Sequence, residues 1–92
     1  MNLLDKSAIE NHLNQLNGWS LSGSNIHKVY LLKDFSSALS FTVKVGIEAE
    51  KMDHNPDILI HEWNKVKITL STHSAGGLTE LDFKLADRKS VV

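Results

Sequence analysis

Residues 65–71 read Lys65-Val66-Lys67-Ile68-Thr69-Leu70-Ser71, the cleanest two-residue alternation in the chain. Successive side chains of an extended backbone point to opposite faces, so the apolar residues share one face and the polar residues share the other. This pattern is typical of a strand with one buried face, as in antiparallel sheets. It predicts a sheet whose apolar face is covered by other elements of the chain.

The segment before this strand carries apolar residues at helical spacing from about residue 35 to residue 52. Asp34 or Ser36 can cap the start of this helix, and Pro56 ends it because the residue before a proline avoids the α region. The apolar stripe is wide enough to pack on the sheet on one side and on another subunit on the other. Its residues are Ala38, Leu39, Phe41, Val43, Val45, Ile47, Ala49 and Met52.

Three further strands are predicted from short apolar and β-branched runs. Residues 19–22 and 26–32 form a hairpin across the turn Gly23-Ser24-Asn25, and residues 57–61 form a short strand before the central one. Each run is bounded by glycine, proline or small polar residues, which interrupt regular structure.

A helix is predicted at each end of the chain. Ser7 and Glu10 have the spacing of a capping box and open a helix over residues 7–16. Thr79 caps a last helix that runs to about Lys89. The resulting order is α-β-β-α-β-β-α, which predicts one two-layer α+β domain over residues 1–92 with a four-stranded antiparallel sheet and three helices.

Composition restricts the classes of function. The chain has 92 residues, no cysteine, and a net charge of −1 from 10 basic and 11 acidic residues, with no dense basic block. It therefore lacks the electrostatic footprint of a nucleic-acid-binding protein. No apolar run approaches the roughly 18 residues of a membrane helix, and the first five residues do not resemble a signal peptide. We expect a cytoplasmic protein that gains stability by oligomerisation, since domains this small bury little surface and have a small free energy of unfolding.

Two of the five histidines stand where elements give way to loops, His54 before Asn55-Pro56 and His73 after the central strand. A pair of imidazoles can donate and accept protons near neutral pH. Glu50 lies one helical turn before His54 and can orient it. Taken alone, a histidine at a helix end is more often a capping or surface residue than a catalyst.

A metal site at His54, His61 and His73 is the competing interpretation of these histidines. The spacing does not match the H-E-x-x-H helix motif, and the chain offers no thiolate ligand. We therefore predict no metal site.

The second half of the chain resembles the pterin-4a-carbinolamine dehydratase family. The resemblance is carried by four segments and is supported more loosely by Gly18-Trp19 and Lys33-Asp34-Phe35, so that it spans nearly the whole chain. The four segments are Glu50-Lys51-Met52-Asp53-His54-Asn55-Pro56, Trp63, Ser71-Thr72-His73 and Gly77-Leu78-Thr79-Glu80-Leu81-Asp82.

The resemblance implies a hydro-lyase that needs no metal or organic cofactor. Its substrate is 4a-hydroxytetrahydrobiopterin or a related 4a-hydroxytetrahydropterin, which loses water to give the quinonoid dihydropterin and so supports pterin cofactor recycling. His54 and His73 match the acid–base histidines, and the stereochemistry at C4a decides which is acid and which is base. The family also implies a homodimer or homotetramer, built by joining sheet edges and packing the long helices.

Further roles follow from the same resemblance. The residues that match the pterin-lining segments are Asp53, Asn55, Ser71, Thr72 and Ser74. Glu50 and Asp82 match acids that position the histidines or bond the ring, and Trp63 matches an aromatic wall. Many members have a second histidine where this chain has Asn55; an amide still binds through hydrogen bonds but does not titrate near neutral pH.

The alternative is a non-catalytic role. Some members of the family act as a dimerisation cofactor for a homeodomain transcription factor, and a pterin-binding scaffold that has lost turnover is a second alternative. Such a protein would work through packing of the second helix and would not need both His54 and His73 at the motif spacing.

Overall fold

The computed structural model describes residues 2–88 and has the predicted element order. The elements are α1 Lys6–Asn14, β1 Ser20–Ser22, β2 Asn25–Leu31, α2 Phe35–Lys51, β3 Asp57–His61, β4 Lys65–Leu70, a 3-10 turn His73–Ala75 and α3 Glu80–Ala86. The central strand β4 pairs on both sides, giving one antiparallel sheet with the order β1-β2-β4-β3. The α+β class, the four strands and the three helices are thus confirmed.

The core lies between one face of the sheet and the helices. Val66, Ile68 and Leu70 of β4 are buried, whereas the alternate residues of that strand stay partly exposed on the other face. Each fully buried aliphatic side chain contributes about 1.5–3 kcal/mol relative to an exposed one. The helices supply the opposite wall through Ala38, Phe41, Val45 and Ala49 of α2 and Phe83 and Leu85 of α3.

The first helix begins differently from the prediction. The Asp5 carboxylate accepts the Ala8 N–H at 2.8 Å and is the N-cap, so α1 starts at Lys6 and Ser7 lies inside it. The predicted capping box at Ser7 and Glu10 is therefore wrong. Asp is as strong an N-cap as Ser, and a cap two residues earlier adds about half a turn of helix.

Helix α2 has a defined residue at each end. Its N-cap is Asp34, whose carboxylate accepts the Ser37 N–H at 2.8 Å and the Ser36 hydroxyl at 3.1 Å. At the other end Asp53 adopts the left-handed conformation with φ 51°. The His54 N–H then donates to the Ala49 carbonyl at 3.0 Å and the Asp53 N–H to Glu50 at 3.1 Å. This is a Schellman motif, which stops the helix before Pro56 is reached.

The chain after β4 forms a tight loop before the last helix. Thr72 and Gly77 form an antiparallel bridge, and Gly76 closes the loop in the left-handed region at φ 77°. Helix α3 is capped by Thr79 as predicted and ends at Ala86, whereas the predicted end at Lys89 lies outside the described residues. Within residues 2–88, no helix combines the length and the apolar character needed to cross a bilayer.

Candidate active site

The Schellman turn carries the chain inward, so that His54 is buried at 7% exposure while its neighbours on both sides are exposed. Its Nε2 atom lies 2.6 Å from Oδ1 of Asp82, which comes from the first turn of α3 and has no exposed surface. Two residues 28 positions apart thus form a buried imidazole–carboxylate pair. A buried carboxylate is tolerated only where hydrogen bonds replace its lost hydration.

The second oxygen of Asp82 supplies that compensation. Its Oδ2 atom accepts the Thr72 hydroxyl at 2.8 Å and the Thr79 N–H at 2.9 Å. The Thr79 contact is half of the α3 capping box, in which the side chain of Asp82 bonds the N-cap backbone. The helix cap therefore fixes the orientation of the carboxylate and leaves Oδ1 for His54.

The hydrogen-bond network determines where the protons lie. The Thr72 hydroxyl has one proton and gives it to Asp82, so the 2.8 Å contact between Thr72 and Thr79 must be donated by Thr79. The Thr79 oxygen in turn accepts the Leu81 N–H at 3.3 Å. Every bond is directed toward the carboxylate, which is the pattern expected of an ionised acceptor. The proton of the His54–Asp82 contact is accordingly assigned to Nε2 of His54.

This assignment leaves the Nδ1 atom of neutral His54 with a lone pair. Residues 2–88 supply no hydrogen-bond partner for Nδ1, and no fully buried side-chain nitrogen or oxygen of that part of the chain lacks a partner. Nδ1 therefore retains solvent access. An imidazole held by a carboxylate on one nitrogen and open on the other is arranged to accept a proton.

His73 lies in a different environment from His54. It opens the 3-10 turn directly after Thr72, and the strand alternation that turns Thr72 inward leaves the His73 side chain exposed. It borders a surface cavity of about 220 Å³ at the end of the sheet where β4 stops and β3 begins. The lining residues are Ser24, Asn25, Asn55, Asp57, Thr69, Ser71, His73 and Gly76.

The structure brings together only part of the predicted site. Asn55, Ser71 and His73 line the cavity, and the Ser71 hydroxyl donates to the Ser24 carbonyl at 3.0 Å. His54 does not line it, although the adjacent Asn55 does. Thr72 is buried in the network around Asp82, so its hydroxyl is already engaged by protein groups.

Other predicted residues lie apart from the cavity. Asp53 and Ser74 are exposed and are not among its lining residues. Glu50 is also exposed, and among residues 2–88 it makes no hydrogen bond to His54, whose carboxylate partner is Asp82 instead. The expectation that Glu50 orients His54 fails because the helix ends at Lys51 and the chain then turns away from the helix axis.

Trp63 is placed at the opposite end of the sheet. It occupies the turn between β3 and β4, with φ 73° and 62% exposure, whereas the cavity lies at the start of β3. A five-residue strand separates the two ends by about 16 Å. Within a single chain the fold therefore does not make Trp63 a wall of this cavity.

Sequence reasoning missed five cavity residues, namely Ser24, Asn25, Asp57, Thr69 and Gly76. The strand residues among them are adjacent because β2 and β3 both pair with β4, with Asp57 opposite Thr69 and Asn25 one step beyond the Ile26–Leu70 pair. The strand order was the missing information. With β4 known to be central, the alternation of residues 65–71 would have indicated them.

Larger cavities lie elsewhere in the described chain. One of about 410 Å³ separates α1 from α3, and one of about 540 Å³ lies between β2 and the start of α2. In the first, His12 stacks on Phe83 at 4.6 Å and pairs with Glu80 at 3.2 Å, which is a helix–helix contact. Residues 2–88 contain no group of three potential metal ligands, at these cavities or at the predicted site.

Comparisons with known proteins agree with the resemblance read from the sequence. The model of the family described as Pterin 4 alpha carbinolamine dehydratase matches residues 2–91. A protein of Sulfurisphaera tokodaii, provisionally named pterin-4-alpha-carbinolamine dehydratase, is 44% identical over 88 residues, covering 96% of this chain and 94% of that one. A Roseiflexus castenholzii protein of the same provisional name is 49% identical over 84 residues, covering 91% and 89%.

A solved structure also matches the fold. The crystal structure of a transcriptional coactivator/pterin dehydratase from Brucella melitensis superposes with a TM-score of 0.84 at 40% sequence identity. The match covers 90% of this chain and 89% of that one. It extends the similarity from the sequence to the fold.

Proposed function

We propose, from the premise that the chain belongs to the pterin-4a-carbinolamine dehydratase family, that it dehydrates a 4a-hydroxytetrahydropterin such as 4a-hydroxytetrahydrobiopterin. A base removes the N5 proton, the freed electron pair forms the N5–C4a double bond, and the C4a–oxygen bond breaks. The hydroxyl takes a proton from an acid and leaves as water. The product is the quinonoid dihydropterin, which can be reduced again, so the reaction supports pterin cofactor recycling.

The observation that carries this proposal is the buried His54–Asp82 pair at 2.6 Å. In our proposal His54 is the general base, because the carboxylate holds the proton on Nε2 and leaves the Nδ1 lone pair to accept a proton. The Asp82 charge stabilises the imidazolium that forms. The Thr72 and Thr79 contacts keep that carboxylate in place during the reaction.

We assign the general acid to His73. It is exposed at the cavity, so it can exchange its proton with solvent between turnovers. Asn55 and Ser71 border the same cavity and are proposed to bind the ring through hydrogen bonds. Asp53 and Ser74, which flank these segments, remain proposed contacts for the part of the substrate that extends from the cavity. Trp63 is left out because of its position at the other end of the sheet.

No metal or organic cofactor enters the proposed reaction. The N5 electron pair expels the hydroxyl, and acid–base assistance of about 10²–10⁴-fold per group is sufficient for a step that already proceeds slowly in water. Both protons are handled by side chains of this chain.

The direct test is the dehydration of chemically prepared 4a-hydroxytetrahydropterin, followed by ultraviolet absorbance. The protein should accelerate formation of the quinonoid product over buffer, and His73→Ala should lower kcat by about 10²-fold or more. His61→Ala is the matched control, since His61 pairs with Glu62 at the far end of β3. A rate equal to that in buffer would refute the proposal.

We also propose that the protein works in the cytoplasm as a homodimer or homotetramer. Leu39, Val43 and Ile47 repeat every four residues along α2 and are 46%, 61% and 51% exposed. A stripe of exposed apolar residues on one helix face indicates a surface that another protein covers.

A second candidate function rests on the same stripe. The Brucella melitensis relative is named as a transcriptional coactivator as well as a pterin dehydratase. A scaffold role for this chain would use the stripe on α2 and would leave the His54–Asp82 pair without a purpose. A scaffold without turnover would not accelerate dehydration over buffer, so the same dehydration assay decides between the two functions.

A further inference from the structure

Among residues 2–88, Asp57 provides the only carboxylate that lines the cavity. It is the first residue of β3, its side chain is exposed, and it stands opposite Thr69 on the sheet face that the helices leave open. No hydrogen bond or ion pair joins its carboxylate to another group of residues 2–88. An anion that no protein group engages is available to a ligand in the cavity.

Asp57 and His73 border the same cavity from different elements. Asp57 lies beside Thr69, one strand spacing of about 4.8 Å away, and His73 follows Thr69 by four residues. The last of these residues leave β4 and enter the 3-10 turn, so His73 reaches the cavity from beyond the end of the strand. A ligand in this cavity of about 220 Å³ can therefore contact both side chains.

The pyrimidine end of a pterin has hydrogen-bond donors that a carboxylate is suited to bind. The pyrimidine half of a pterin presents two parallel donors, N3–H and the 2-amino group, on the edge remote from the reacting N5–C4a bond. Two carboxylate oxygens accept two parallel N–H donors in the same fork geometry that arginine uses toward carboxylates. The other side chains that line the cavity are hydroxyls, amides and an imidazole, and each has at most one acceptor atom to offer such a pair.

We propose that Asp57 determines substrate specificity by accepting the N3–H and 2-amino hydrogens of the pterin, which directs the N5–C4a bond toward His73. This inference rests on the proposed function, since it names the edge of the same substrate that Asp57 binds. The competing explanation is that Asp57 only protects the edge strand β3 from pairing with other chains, as charged residues on edges commonly do.

The experiment compares two ligands on two proteins. Dissociation constants are measured for 7,8-dihydropterin and for 7,8-dihydrolumazine, which carries an oxygen in place of the 2-amino group. The wild-type protein should prefer the amino compound by about 10-fold or more, the contribution of a charge-assisted pair. Asp57→Asn should reduce this preference to about 2-fold or less, since a single amide oxygen cannot accept both hydrogens.

Glu10→Gln is the matched control, because it removes one negative charge from the exposed face of α1 and should keep the wild-type preference. An unchanged preference in Asp57→Asn, or equal binding of the two ligands by the wild type, would overturn the role of Asp57 while leaving dehydration intact. A wild type that binds neither ligand and does not accelerate dehydration would instead remove the proposed function itself. Aggregation of Asp57→Asn with unchanged preference would identify edge protection as the role.

Discussion

At the scale of single residues, the proton on Nε2 of His54 decides whether this histidine can act as a base, because it leaves Nδ1 with a free lone pair. Asp82 receives two hydrogen bonds on Oδ2 from Thr72 and Thr79 and one on Oδ1 from His54. A carboxylate that only accepts forces Nε2 of His54 to be the protonated nitrogen. The tautomer, and with it the availability of Nδ1, is therefore set by residues that do not line the cavity.

Replacing Asp82 by Asn tests this arrangement. The amide can present its NH2 group to Nε2 of His54, which moves the imidazole proton to Nδ1 and removes the base. We expect kcat for dehydration to fall by about 10²-fold or more with little change in KM. Glu80→Gln, an exposed neighbour in the same helix, is the control and should retain kcat. An Asp82→Asn variant with wild-type kcat would show that the tautomer is irrelevant.

At the scale of elements, the two ends of α2 have different roles. The N-terminal cap at Asp34 is local and fixes where the helix starts. The C-terminal Schellman motif at Asp53 fixes how the chain leaves the helix, and so where His54 points. Because the left-handed conformation costs most residues about 1–2 kcal/mol, the identity of residue 53 affects both stability and the site.

Two substitutions of Asp53 separate the turn from a direct contact with substrate. Asp53→Gly suits a φ of 51° and should keep the free energy of unfolding within about 0.5 kcal/mol of the wild type. Asp53→Ala should lower it by about 1 kcal/mol. We expect the Gly variant to retain kcat. Urea unfolding measures the free energy of unfolding, and the dehydration assay measures kcat and KM. An equal rise of KM in the two variants, with kcat unchanged, would support the proposed contact between Asp53 and the substrate.

The Asp34 cap makes part of the stability dependent on pH. The Ser37 N–H, and secondarily the side chains of Ser37 and Ser36, hold the pKa of the Asp34 carboxyl below its ordinary value. A lowered pKa means that the cap stabilises the fold above the ordinary pKa of an aspartate, about 3.9, and that this contribution disappears as the pH falls through the folded-state pKa.

Urea unfolding of Asp34→Ala at several pH values measures this contribution. The midpoint of the variant should lie below that of the wild type at pH 7, and the difference should shrink as the pH falls below about 4. Asp34→Asn keeps a capping side chain that does not titrate and should show less of the pH dependence. A difference between Asp34→Ala and wild type that is constant down to pH 2 would contradict the assignment.

At the scale of the whole molecule, the sheet and α2 each present an uncovered surface. The strands β1 and β3 are the two edges of the sheet, and the stripe Leu39, Val43 and Ile47 lies on the side of α2 away from the core. A chain of 92 residues without disulfides gains stability if such surfaces are buried between copies.

Sedimentation tests the role of the stripe. The wild type should be a dimer or larger at micromolar concentration, and Val43→Glu should shift it toward smaller species because a carboxylate would be buried in an apolar contact. Asn11→Asp adds the same charge on exposed α1 and should leave the assembly unchanged. A wild-type monomer at these concentrations would contradict the proposal.

The order of elements could be predicted from the sequence because it depends on local patterns. The alternation of residues 65–71, the helical spacing after Asp34 and the Thr79 cap each act within a few residues. The start of α1 was misplaced for the same local reason, since Asp5 and Ser7 are both good caps and only the wider context selects one. His54 and His73 stood out by their positions at the ends of elements, and the resemblance to the family added their acid–base roles and the role of Asp82.

The tertiary structure alone decided which of these residues meet. That His54 pairs with Asp82 and not with Glu50 follows from the turn after α2 and from the cap of α3. That Asp57 borders the cavity follows from β4 lying between β2 and β3. Strand order and the direction of a turn depend on contacts between residues distant along the chain. Periodicity describes only which face a residue occupies, so it leaves the partner across that face undetermined.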